Sequence, residues 1–496
     1  MNQLKNSSAG STLTAKAEAG QRRPSDIPTA LVVSAAAATA LVILIALAGF
    51  GQTTLSVEAA LTLSIFVVAV WAWVFSPLPD TYVALAAAVL LVLCGVLPTD
   101  ELTDSLGNET IWLLVAAVVI AQAISASGLA TRMTGWMVSR AKTTRSLFYW
   151  LAVALFVTAF MIPSTSGRAA LALPIFTAVA AAVAEQKKVV RALSILVPSV
   201  ILLSAVSSYI GAGAHLITDE ILDSYGFDSI GFVRWMLLGA GLGLTASLLC
   251  TELVLRLFLG SAERKIHMEN ISGDSLGVSA QLDLTEKKVL TVLALVILGW
   301  CTESLHGLDT VVVALLGALA ITAPGVSGIS LGSGLKKAPW PLLIFMAATL
   351  ALGDALVESG AAGWLGDSIF SPLAAMGSGS QFLFLVLLIA ISTLAHLLIQ
   401  SRSARSAVLI PLIIPAAVSL GVNPVAAAFI STAAAGFCHT LTSSAKPVAL
   451  FSKVEGFEVF APADLLRLSA WLAPLHGLLI LVFALVIWPL LGMKFF

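Results

Sequence analysis

From residue 29 onward the chain is a succession of long apolar runs separated by short polar breaks. The runs fall at about 29–50, 58–75, 81–98, 110–131, 147–163, 167–184, 189–224, 232–258, 288–303, 309–323, 340–360, 381–400, 404–420, 424–451 and 468–493. Most approach the roughly 17 to 25 residues that a helix needs to cross the hydrocarbon core. Within them apolar positions are continuous rather than alternating, so helices, not barrel strands, must satisfy the backbone in lipid. The pattern predicts an all-α polytopic membrane protein.

Composition agrees with that pattern. The chain has 496 residues, of which 59% are hydrophobic and 11% charged, whereas soluble domains carry about 25% charged residues. The net charge of −1 is silent on a nucleic-acid partner, and the lack of a Lys/Arg cluster large enough to track a phosphate backbone excludes one. The four cysteines, Cys94, Cys250, Cys301 and Cys438, show no metal-ligand spacing and are expected to be buried and inert. Residues 1–28 are polar and serine-rich, and read as a disordered cytoplasmic tail.

The charges between the runs then select a threading. If 147–184 is a re-entrant hairpin entering from the cytoplasm and 381–420 one entering from outside, the basic stretches around Arg140, Lys188, Lys265, Lys288, Lys337 and Arg467 all fall inside. That threading gives about eleven crossings, a cytoplasmic N-terminus and an outside C-terminus. It places 99–109 and the Lys/Arg-free stretch 361–380 outside, in a multi-pass protein of the cell membrane. The segment 132–145 suits a helix lying in the interface. Trp150, Trp235, Trp340 and Trp488 fall near span ends and read as interfacial anchors.

The two hairpin tips resemble each other. Residues 164–174, STSGRAALALP, align without a gap on residues 401–411, SRSARSAVLIP. IAQAISASGLA at 120–130 echoes LGDALVESGAA at 352–362 upstream. Because the hairpins enter from opposite faces, the halves form inverted repeats, the architecture of secondary transporters with a site at the midplane. The expected organisation is a peripheral helix at 29–50, a first repeat at 51–258, a linker at 259–287 and a second repeat at 288–496.

An arginine at a helix centre costs about 2.5 to 3.5 kcal/mol on insertion scales, and here two stand at matched positions, Arg168 and Arg405. With Ser166 and Ser403 as caps, both fall in a first helical turn, where the helix dipole disfavours a cation unless an anion binds. Ser164, Thr165, Ser166 and Arg168 with Ser401, Arg402, Ser403 and Arg405 therefore form a candidate receptor for carboxylate or sulfate oxygens. Each repeat has a second break. SSYIGAGAHLI contributes Gly211, Gly213 and His215, and CHTLTSSAKPV contributes Thr442, Ser443, Ser444 and Lys446. Their free carbonyls and hydroxyls suit Na⁺, while Lys446 or His215 supplies fixed charge or a proton. Thr442 and Lys446 are assigned to substrate, and Gly211, Gly213, His215, Ser443 and Ser444 to the coupling cation. Asp354 and Glu358, one turn apart, could form a cation or proton site, but are expected rather to pair with a basic residue or to lie near the outer surface.

These features together resemble the divalent anion:sodium symporter family, whose members carry dicarboxylates, citrate or sulfate. The resemblance covers nearly the whole chain after residue 50, including the closing stretch with Pro462, Asp464, Arg467 and Trp488-Pro489. It implies Na⁺ as coupling ion, held at Ser164, Ser166, Ser401 and Ser403, a small anionic substrate and a homodimer in the bilayer. Where the family's tips carry Ser-Asn-Thr, this chain has Ser164-Thr165-Ser166 and Ser401-Arg402-Ser403. Arg402 and Lys446 would repel sodium, so fixed charges are expected to replace it in part, leaving anion exchange or proton use as alternatives. An intramembrane enzyme lacks its motifs here, with no HExxH and no Ser/His dyad. A cation/proton antiporter or arsenite-type permease would need acids at the midplane, where this chain places arginines.

Overall fold

The computed structural model describes residues 29–50, 55–267, 281–366 and 379–496. The N-terminal tail 1–28, much of the 259–287 linker and most of the 361–380 stretch lie outside these residues. Among the described residues the chain is helical, with one isolated β-bridge between Thr143 and His267. Nine helices among the described residues are long and apolar enough to cross a membrane, and five shorter apolar helices accompany them.

The helices follow the apolar runs within a few residues, because those runs hold little glycine and few charges and end in recognisable caps. Ser56, Asn108, Asp283 and Asp309 each accept a backbone N–H in the first turn that follows them. The interfacial helix is displaced from its expected place. It runs Leu129–Val138, because Gly128 with φ +76° ends Glu109–Ser127 and turns the chain at once into the next helix.

In the first half, Thr144–Val157 and Thr165–Ala182 are the two arms of the 147–184 hairpin, and each packs on Lys187–Leu203. In the second half, Gly379–Leu394 and Arg402–Ser419 pack in the same way on Pro424–Ala435. Both of these central helices are interrupted, as the glycines and hydroxyls of the two breaks predict. Lys187–Leu203 gives way to short 3₁₀ turns and resumes as Gly213–Ser224, and Pro424–Ala435 resumes as Lys446–Phe451. Gly211 is required at the first break, because a Cβ there would collide with the Ala205 carbonyl.

After each break the chain changes partners. Gly213–Ser224 packs on the second hairpin's return arm Arg402–Ser419, and Lys446–Phe451 packs on the first hairpin's return arm Thr165–Ala182. Among the described residues the two larger hydrophobic clusters are one around Leu193, Phe148 and Phe451 and one around Leu216, Ala404 and Phe429, with a smaller third around Leu63, Phe66 and Leu356. Each broken helix passes from one cluster to the other at its break. The polar backbone of the two breaks thereby lies at the seam where the two larger clusters meet.

Two expectations about large and small side chains fail. Trp235 and Trp488 are fully buried, donating to the Val206 and Leu238 carbonyls, so they are core residues and not interfacial anchors. Trp340, at 55% exposure, keeps that reading. Cys250 and Cys438 are buried as expected, whereas Cys94 and Cys301 are exposed, because both sit where a helix ends.

Candidate functional site

Both hairpin tips begin their return helix with a serine cap, two residues earlier than expected. Ser164, not Ser166, accepts from the Gly167 N–H, and Ser401, not Ser403, accepts from the Ala404 N–H, each at 3.3 Å. The chain turns helical immediately after these serines, so Thr165, Ser166, Arg402 and Ser403 are first-turn residues whose side chains do not cap the helix. Ser164, Thr165, Ser166 and Ser401 to Ser403 are all partly exposed, and Gly167 is exposed.

Arg168 and Arg405, four residues after their caps, are both fully buried, yet their surroundings differ. Arg168 Nε donates to Thr158 Oγ1 at 3.1 Å and Nη1 to the Ile201 carbonyl at 2.9 Å, while Nη2 donates to the Leu155 carbonyl at 2.6 Å and Ser204 Oγ at 2.7 Å. Four of its five N–H donors are thus spent tying the hairpin's first arm to the end of Lys187–Leu203. Arg405 has one long bond, from Nη1 to the Phe437 carbonyl at 3.4 Å. Its Nε and Nη2 are buried and find no partner among the described residues.

The sequence explains this difference locally. In the register that aligns the tips, Thr158 corresponds to Ala395, so the hydroxyl that receives Arg168 Nε has no counterpart at the second tip. Beside Arg405, Arg402 Nη2 donates to the Leu202 carbonyl at 3.0 Å and the Gly436 carbonyl at 2.9 Å. Leu202 and Gly436 close the first halves of the two broken helices, so Arg402 bridges both breaks. Its Nη1 is buried without a partner among the described residues.

The first break brings Gly213 against Ser403, and Thr218 joins Thr432 at 2.6 Å and Ser406 at 3.3 Å, linking the repeats. His215 stacks on Trp235, with ring centroids 4.9 Å apart, and its Nδ1 meets the Ser208 carbonyl at 2.9 Å. The Ser207 and Ser208 hydroxyls beside it are buried and unpartnered among the described residues. At the second break, Ser444 is buried and accepts from the Leu441 N–H, whereas Lys446 and Ser443 are exposed and Thr442 is partly so. Lys446 and Ser443 therefore stand apart from the buried arginines.

Sequence reasoning missed three histidines. His396, His439 and His476 surround the Phe437 ring, at centroid distances of 5.4, 4.9 and 6.1 Å. His439 lies within the broken-helix string already singled out, and His396 and His476 are lone ionisable residues in apolar runs, which was the available signal.

A separate cavity of about 890 Å³ lies beside residues 101–110, 219–232, 303–311 and 350–358. Among the described residues ten carboxylates line it and no Lys or Arg does, so Asp354 and Glu358 share acidic company instead of the expected basic partner. Asp219 there caps Gly231–Phe258, accepting from Ser229 Oγ at 2.6 Å and the Ile230 N–H at 2.6 Å. A cavity of that sign repels anions, which leaves the arginine-bearing seam as the place with positive charge and buried donors.

Residues 29–494 match the family described as sodium:sulfate symporter transmembrane region. A membrane protein of Cupriavidus necator is 24% identical over 461 residues, covering 88% of this chain and 89% of the relative. A sodium-dependent dicarboxylate transporter, SdcS, of Staphylococcus saprophyticus is 22% identical and covers 81% of each chain. A putative malate transporter, YflS, of Bacillus subtilis is 24% identical over 64% of this chain and 68% of its own. Among solved structures, the YdaH transporter of Alcanivorax borkumensis, of unusual topology, aligns with a TM-score of 0.52 at 17% identity, covering 88% of this chain and 99% of that one. That likeness concerns the fold.

Proposed function

The chain belongs to the sodium:sulfate symporter family, and from that premise we propose that it is a secondary transporter moving a small dianion by alternating access, with the anion held at the second hairpin tip. Family and relatives are transporters, not enzymes. The observation that carries the placement is the pair Arg402 and Arg405. Three of their guanidinium nitrogens, Arg402 Nη1 and Arg405 Nε and Nη2, are enclosed at the N-terminus of Arg402–Ser419 without an acceptor among the described residues. Each unmade buried donor costs about 1 to 3 kcal/mol, more when charged, and a dicarboxylate or sulfate oxygen would satisfy several at once. Ser401, Ser403 and the first-turn N–H groups complete the receptor.

In this reading Arg168 shapes the fold and does not touch substrate, and Ser164, Thr165 and Ser166 face the anion from the opposite tip. The two repeats invert about the seam, with hairpins entering from opposite sides.

The coupling ion is the second part of the proposal. Half-helix C-terminal carbonyls are where transporters of this architecture hold sodium. Here the guanidinium of Arg402 already donates to two such carbonyls, Leu202 and Gly436, and Arg168 to a third, Ile201. Tethered cations thus stand in for a mobile one, and transport proceeds without a saturable sodium requirement. The Ser207 and Ser208 hydroxyls are the remaining place where a sodium-dependent mechanism would find ligands.

Counterflow in proteoliposomes loaded with sulfate, oxalate, succinate or citrate tests both parts. Accumulation of at least one anion, equal in sodium and in choline medium, is the expected result. No accumulation of any of the four would overturn the anion reading, and a steep saturable sodium dependence would overturn the tethered-cation reading alone.

A further inference from the structure

The three histidines around Phe437 are not needed to explain how an anion is held. They come from three separate elements: His396 from the end of the second hairpin's first arm, His439 from the second break, and His476 from the helix Pro462–Val482. All three are at most 2% exposed. Burying one imidazole in an apolar helix is common; gathering three on one phenyl ring, against two arginines, is a cluster with its own chemistry.

Their hydrogen bonds set them apart. His439 is locked, with Nε2 against the Ser199 carbonyl at 3.3 Å and Nδ1 facing the Cys438 N–H at 3.4 Å. One nitrogen must donate to the carbonyl and the other accept from the amide, so His439 is held neutral. His396 has Nδ1 on the Thr393 carbonyl at 2.6 Å, which fixes that nitrogen as the donor, and Nε2 on Thr440 Oγ1 at 2.8 Å. A hydroxyl both donates and accepts. His396 can therefore gain a proton at Nε2 by reversing the Thr440 hydroxyl, with no hydrogen bond lost. His476 Nδ1 is buried and has no partner among the described residues, leaving a lone pair or an N–H with nothing to meet.

The charges acting on this cluster are all of one sign. Arg405 acts on His396, and Arg402 acts on His439 and His476, with the histidines acting on one another. The Cys438 thiol is a further ionisable neighbour of both arginines, and Arg168 and His215 are neighbours of Arg402. Pro424–Ala435, packed against both hairpin arms, carries no ionisable residue. In Pro462–Val482, Asp464 and Arg467 lie more than two turns before His476, and Asp464 is taken by Arg191 at 2.6 Å. In Gly231–Phe258, which packs on that helix, Arg234 is in the first turn and Glu252 is held by Arg145 and Arg256. Among the described residues, the two guanidiniums and the imidazoles themselves therefore set the field in this cluster.

With those guanidiniums uncompensated, a proton on His396 or His476 meets like charge. A dianion on Arg402 and Arg405 reverses the local field and makes the proton welcome. Resting on the anion site proposed above, we propose that His396 and His476 take up a proton from the aqueous phase together with the bound dianion and release it with that anion on the other side, so that the protein couples anion transport to protons. The proton binds an imidazole lone pair and leaves it unchanged, so no other reactant is required. By linkage the anion binds more tightly as pH falls, and the proton more tightly as the anion binds.

The test uses the purified full chain in proteoliposomes with a pH dye in the lumen, and sulfate as probe because its own charge does not change across the range. Sulfate uptake should rise about tenfold from about pH 8 to about pH 5.5, and each uptake burst should acidify the lumen. His476→Gln should flatten that rise to less than about twofold, and His396→Gln should do so in part. Succinate serves as a second probe, read as the difference between variant and parent. Uptake that is independent of pH, without lumen acidification, sinks the proton coupling while leaving anion transport standing. Uptake of neither anion at any pH sinks the anion site itself, and the coupling with it. Lumen acidification in the parent alone supports the coupling even where a variant fails to fold.

Discussion

Arg168 and Arg405 occupy the same place in two hairpins of matching sequence, four residues beyond a capping serine and fully buried. At the first tip four hydrogen bonds consume the guanidinium; at the second, a single long one does. The difference traces to neighbours outside the matching stretch. Thr158 supplies an acceptor where the second repeat has Ala395, and Ser204 supplies another at the first break. Two matching elements thus differ in their bonding: one arginine braces the seam, and the other keeps unpaired donors for the anion proposed above.

The largest way to break this comparison is to remove each arginine in turn. Arg168→Gln strips charged hydrogen bonds from two carbonyls and two hydroxyls, each worth about 1.5 to 3 kcal/mol, so its thermal unfolding in detergent should fall by many degrees. Arg405→Gln removes a poorly paired buried charge, so the same melt should be unchanged or higher, while anion counterflow drops by about 100-fold or more. Equal effects of the two substitutions on both assays would erase the distinction between the tips.

A smaller effect sharpens the coupling half. Arg402→Asn removes the guanidinium from the Leu202 and Gly436 carbonyls and returns the tip to the Ser-Asn pattern of the resembled family. Anion uptake by this variant should become stimulated by sodium, by about fivefold, where the parent is indifferent to it. An absence of stimulation, in a variant that still binds sulfate, would show that those carbonyls are not a latent sodium site.

The smallest effect concerns the caps. Ser164→Ala and Ser401→Ala should each lose about 1 kcal/mol of stability, whereas Ser166→Ala and Ser403→Ala should lose far less, because their side chains do not cap. Parallel melts of the four variants decide the matter; larger losses at Ser166 and Ser403 would move the helix starts back by two residues.

Much of this was legible beforehand. The apolar runs located the helices, the two breaks appeared where glycines and hydroxyls interrupted them, and the repeat S-x-S-[GA]-R identified the tips. The capping register was misplaced because serines at 164 and 166 are equivalent by composition, and only the extended backbone at Ser164 distinguishes them. Trp235 and Trp488 were misassigned for a related reason: nearness to a span end says nothing about which face of the helix meets a partner. The interest of His396, His439 and His476 was invisible because they are separated in sequence by 43 and 37 residues and meet only on Phe437.

By itself the sequence determined that the chain is helical and membrane-embedded and where its helices break, because hydropathy and local breaks act within one turn of helix or one span. Which arginine is satisfied, which carbonyls a guanidinium reaches and which imidazoles share a field were decided by the tertiary structure alone. Hydrogen bonds and Coulomb interactions act over a few ångströms in space, and the broken helices, by exchanging partners at the seam, bring together residues that the chain keeps far apart.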